Sequence, residues 1–223
     1  MGPVLGELLP LAVGVAVSPV PIIAVILMLL APQAGGTSRG FLAGWLAGIV
    51  LAVGGFVLVA GLAELGSPAE RSALAAWIKL LLGLVVLALG VREWLGRPGP
   101  GEHRPLPKWM SAIGSVTTGR AAGLGFALAA VNPKNLAMAV AAGVAIGGGD
   151  LPAGQDVVAV VVFTLIAGAT VAVPVIGYAV AAERMRGPLD RLKAWLEANN
   201  QTVMSVLLLV IGVVLVGKGL AGF

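Results

Sequence analysis

Asn132-Pro133-Lys134-Asn135 interrupts residues 121–149, a run that carries no other charge. The run is long enough to cross a bilayer, which takes about 20 mostly apolar residues. A lysine and two amides therefore fall near the middle of a membrane helix. Ser18-Pro19-Val20-Pro21 breaks the first apolar run, residues 4–31, at a position 114 residues earlier. These two breaks decide the reading of the chain. The fold expected from them is an all-α transmembrane bundle of six helices, built as two inverted three-helix repeats with helices one and four broken.

Composition agrees. The 223 residues are 59% hydrophobic and 11% charged, too little polar surface for a soluble domain of this size. Cysteine is absent and His103 is the single histidine, so neither a disulfide framework nor a metal centre is expected. The first run has no basic leader, only Glu7, and is longer than a cleaved signal, so it is read as a retained span. The remaining spans fall at 40–63, 73–91, 157–182 and 198–218. Lys79, inside the third, is expected to snorkel to the interface.

The longest polar connection opens with Arg97-Pro98-Gly99-Pro100-Gly101, a linker composition. It divides the chain into repeats 1–96 and 120–223, with a cytoplasmic linker over 97–119. Segment 187–197 puts Leu189, Leu192, Trp195 and Leu196 on one helical face and reads as an amphipathic helix on the membrane surface. Ten of the 14 Lys and Arg residues lie at the connections after spans one, three and five. Arg71, Lys79 and Lys218 lie at the other face, and Lys134 lies inside. The basic face is expected to be cytoplasmic and both termini outside.

An odd number of spans per half makes the halves enter from opposite faces. At an offset of 114, Ser18-Pro19 aligns with Asn132-Pro133 and span two with span five. Matched broken helices mark the binding site in inverted-repeat transporters. Pro19 and Pro21 free backbone carbonyls, which at membrane depth must be buried in protein or face a wet cavity. Ser18 can bond some of them. Lys134 at mid-depth costs about 2.5–3.5 kcal/mol on insertion scales. No acid lies at that depth. Its compensation is left to carbonyls of the first break, water, a bound anion, or loss of the proton, which would couple transport to the proton gradient. Asn132 and Asn135 either line the site or satisfy loose backbone groups. Thr164 and Thr170 line a path or bond their own helix. Pro174 with Gly177 is a hinge or a static kink. Gly40, Gly44 and Gly48 favour close packing within the chain or across a homodimer.

With these motifs and the three-plus-three layout, the sequence resembles the lysine-exporter superfamily. The Asn132-Pro133-Lys134-Asn135-Leu136 run and the basic central loop are most similar to its glycopeptidolipid/sulfolipid-addressing family. The resemblance covers essentially the whole chain. Amino-acid exporters of the superfamily carry a Pro-Gly-Pro motif in helix one, where this chain has Val20. The resemblance implies export or flipping of an amphiphilic lipid or small solute, including anionic ones, across the cytoplasmic membrane. The alternative is an accessory protein assisting a larger lipid exporter or biosynthetic enzyme. Membrane lipids are the expected partners. Nucleic acid, cofactors and enzymatic activity are not expected, since mid-depth lacks acid–base or metal-binding groups.

Overall fold

The computed structural model describes residues 1–62, 68–97, 113, 116–149, 151–152 and 154–222. All regular structure among them is helical. The central linker, 97–119, lies mostly outside the described residues, as do His103 and Trp109.

The first apolar run forms two helices, α1 (Gly2–Ala16) and α2 (Pro19–Leu30), bent by 51°. Pro19 stands at the first position of α2, where its missing N–H breaks no bond of that helix. Two long helices follow, α3 (Ala34–Leu62) and α4 (Pro68–Leu95). The second broken run forms α5 (Thr118–Ala130) and α6 (Pro133–Gly147), bent by 62°. Both breaks stand where the prolines put them. The last element, α7, runs from Gln155 to Leu220, and its one non-helical residue is Ala181. α3, α4 and α7 are each long and apolar enough to cross a membrane, and each bent pair has together the length and apolarity of a broken span or a re-entrant loop. The protein is a multi-pass membrane protein.

α7 is not a straight rod. Thr170 bonds the carbonyl of Ala16, while Ile211 packs on Gly14. Along a straight helix those two residues would stand about 60 Å apart. The chain therefore doubles back between them, and Ala181, with φ −146° and ψ 58°, is where the backbone leaves helical angles. The departure falls at Ala181 and not at Pro174, which is buried within the helix; a methyl on Gly177 would meet the Met185 side chain. Segment 187–197 is continuous with the terminal helix. Leu189 and Leu196 are buried, whereas Leu192 and Trp195 on the same face are exposed.

Glycine sets the closest approaches. Gly40, Gly44 and Gly48 of α3 meet the backbone of Thr118, Ala122 and Phe126, so α3 and α5 run parallel in near backbone contact. The ridge is thus used within the chain. α4 runs antiparallel to the last arm of α7, with Gly83 on Val216 and Gly90 on Leu209. Lipid-exposed apolar residues such as Leu51, Leu58, Leu81 and Val173 cover the outside, as expected when the solvent is hydrocarbon.

Candidate functional site

The last turn of any helix leaves carbonyls without intrahelical partners. At the end of α1 these carbonyls lie in the protein interior, and Pro19 removes one of the donors that would have continued the ladder. Each must find another partner or carry the cost of an unmade bond, about 1–3 kcal/mol.

The structure supplies a partner for each in turn. Val13 accepts from the Val17 N–H at 2.9 Å. The carbonyl of Gly14 accepts from Lys134 Nζ at 2.7 Å. That of Val15 accepts from the Ser18 hydroxyl at 2.8 Å. That of Ala16 accepts from the Thr170 hydroxyl. Three side chains from three parts of the chain thus close the broken end of α1. Lys134 Nζ also donates to Ser18 Oγ, whose own hydrogen goes to Val15. Lys134 is 3% exposed and Ser18 2% exposed, so this is an enclosed polar centre.

The second break is satisfied more locally. Asn132 caps α6, its Oδ1 accepting from the Lys134 N–H at 3.0 Å. Its carbonyl accepts from the Leu136 N–H at 2.8 Å. Pro133 occupies the first helical position. Asn135 reaches back across the break, donating from Nδ2 to the carbonyl of Leu128 at 2.9 Å. Its Oδ1 faces Ser18 Oγ at 3.5 Å, so the two breaks meet through Ser18, Lys134 and Asn135 together.

Of the compensations open to Lys134 from sequence, the structure shows a carbonyl of the first break and the Ser18 hydroxyl. An ammonium has three N–H donors. Two acceptors meet it among the described residues. Ser18, Pro19, Pro21, Asn132, Pro133, Lys134, Asn135 and Thr170 all lie at or beside the two breaks. Thr164 is placed elsewhere, bonding the carbonyl of Val160 in its own helix at 2.8 Å. Pro174 and Gly177 stand in the first arm of α7, beyond Thr170 toward Ala181.

Two features escaped the sequence reading. Gly14 is both an acceptor for Lys134 and a point of close packing, where a methyl group would press on Met138 and Ile211. Lys79 does not simply reach for the interface. It pairs with both carboxylate oxygens of Glu7, at 3.0 and 3.2 Å, and Lys218 approaches the same carboxylate at 3.7 Å. A signal for the second was present: the lysine and arginine distribution puts Lys79 and Lys218 on one face, and an outside N-terminus puts Glu7 there too.

A family model described as Sap, sulfolipid-1-addressing protein, matches residues 8–221. That span includes both breaks, the Lys134 centre, Lys79 and Lys218. Comparisons with curated proteins and with solved structures return no match. The match covers nearly the whole chain, and the chain belongs to the sulfolipid-1-addressing protein family.

Proposed function

We propose that the protein is a transporter of the cytoplasmic membrane, an exporter or flippase that moves an amphiphilic lipid across it. The observation that carries the reading is the direct bond from Lys134 on one broken helix to Gly14 and Ser18 on the other. Broken helices that meet inside a membrane protein are the usual construction of a transport site. A bond between two breaks is also a contact that a substrate group can replace. A sulfate, phosphate or carboxylate would take Lys134 from Gly14, and release would restore the present closed arrangement. Proton exchange at Lys134 would couple the cycle to the proton gradient.

The architecture that goes with this reading has six spans. They are the two broken runs, α3, α4 and the two arms of α7, arranged as inverted halves within the lysine-exporter superfamily. In support, the start of α1 lies beside the end of α6, with Val4 against Gly149. The end of α3 lies there too, with Phe56 against Gly143 and Ala60 against Gly147. The opposite face gathers the starts of α3 and α5, where Arg39 and Arg120 stand. With that basic face cytoplasmic, both termini are outside. The reading includes no enzymatic step.

A second reading is an accessory protein that presents lipid to a larger exporter. It is favoured by the same bonds, since Lys134 is satisfied inside the protein as a purely structural lysine would be. Reconstitution separates the two. The purified protein alone in liposomes should move labelled anionic lipids in preference to small amino acids, and Lys134→Ala should abolish that movement while still inserting. Unchanged transport by Lys134→Ala, or no movement by the protein alone, would overturn the transporter reading.

A further inference from the structure

A cavity of about 740 Å³ lies between the start of α1, the end of α3, the first half of α4 and the end of α6. Its size falls within the range of small-molecule sites, about 300–1,000 Å³. Phe56, Val59, Ile78 and Val144 give it apolar walls. Glu7, Lys79 and Lys218 also line it, so apolar wall and charge share one partly open pocket.

The three charges are not equivalent. Lys79 is engaged by both oxygens of Glu7. Lys218 stands 3.7 Å from Oε1, close enough for attraction but too far for a hydrogen bond. Among the described residues its ammonium makes no hydrogen bond, and its side chain is 32% exposed. Among the described residues that line the cavity, two ammoniums against one carboxylate leave one positive charge in surplus. The cavity also lies toward the Lys134 centre. Glu7 and Gly14 are seven residues apart on α1, about 10 Å along its axis. A small pocket beside Glu7, lined by Pro10 and Leu11, lies on the Gly14 side.

We propose that this cavity is a binding site for an anionic amphiphile. The sulfate, phosphate or carboxylate head sits on Lys218, with Lys79 beside it, and the hydrocarbon chain lies along Phe56, Ile78 and Val144. Glu7 holds Lys79 in place and keeps the site from binding anions without a chain. The site does not require transport: an accessory protein would hold its lipid in the same way.

The test uses the full chain in phosphatidylcholine nanodiscs and a palmitate probe carrying a photoreactive diazirine in its chain. The acid should label the walls around Ile78 and Val144, and its uncharged methyl ester should label them far less. Octadecyl sulfate should displace the acid probe and octadecanol should not, a readout that needs no variant. Lys218→Gln should weaken labelling about tenfold, the size of one charge-assisted hydrogen bond. Lys218→Arg should retain it, and unchanged melting temperatures show that both variants are folded. Equal labelling by the ester, or full labelling in Lys218→Gln, would overturn the proposal. Labelling is read without any transport measurement, so this site and the transporter reading fail separately.

Discussion

Replacing Lys134 by methionine separates a functional lysine from a structural one. Methionine keeps an unbranched side chain of similar length and adapts to irregular space. Two effects on stability oppose each other. Removing the buried ammonium recovers the cost of placing it at mid-membrane, about 2.5–3.5 kcal/mol. Against this, the Gly14 carbonyl loses its donor at 2.7 Å, and nothing else among the described residues replaces it. An orphaned buried carbonyl costs about 1–3 kcal/mol. The Ser18 oxygen loses its donor too, but the Ser18 hydroxyl keeps its own bond to Val15. Hydrogen bonds within membrane bundles average about 0.6 kcal/mol and reach about 1.7. The sum is a net change of no more than about 2 kcal/mol in either direction. Unfolding in mixed micelles measures this, and liposome flux measures transport. The expected result is near-normal stability with transport lost. A loss of stability above about 3 kcal/mol, as large as that for breaking a buried ion pair, would refute the cancellation and make Lys134 structural. Normal transport would refute its role at the site.

Other changes test the same network. Thr170→Val removes the hydroxyl that serves the Ala16 carbonyl across helices, whereas Thr164→Val removes a bond within one helix. The first should cost about 1–2 kcal/mol more than the second in the same unfolding assay. Asn135→Ala frees the Leu128 carbonyl and should cost about 1–2 kcal/mol. Gly44→Ala drives a methyl into the Ala122 carbonyl and should destabilise by about 1–3 kcal/mol. Gly55→Ala meets open space and should be neutral or stabilising by up to about 1 kcal/mol; melting temperatures of the pair check this.

The sequence by itself determined the all-helical, membrane-embedded character, the two breaks and the burial of Lys134. Those follow from local quantities: the length of an apolar run, the missing N–H of proline, and the absence of charge around residue 134. The capping role of Asn132 was likewise within reach, because its partner is two residues away. Only the tertiary structure decided which acceptor meets Lys134, since Gly14 is 120 positions distant and carries no side chain to announce it. It decided that Thr170, and not Thr164, serves a broken helix, although both are threonines in one helical arm. It decided that Glu7 collects Lys79 and Lys218, and that the glycine ridge of α3 lies on α5. The physical reason is common to all of these. A freed carbonyl, a lone carboxylate and a bare glycine surface each need a partner but do not specify it. In hydrocarbon no water supplies one, so the choice falls to whichever donor the packing of distant helices brings within reach.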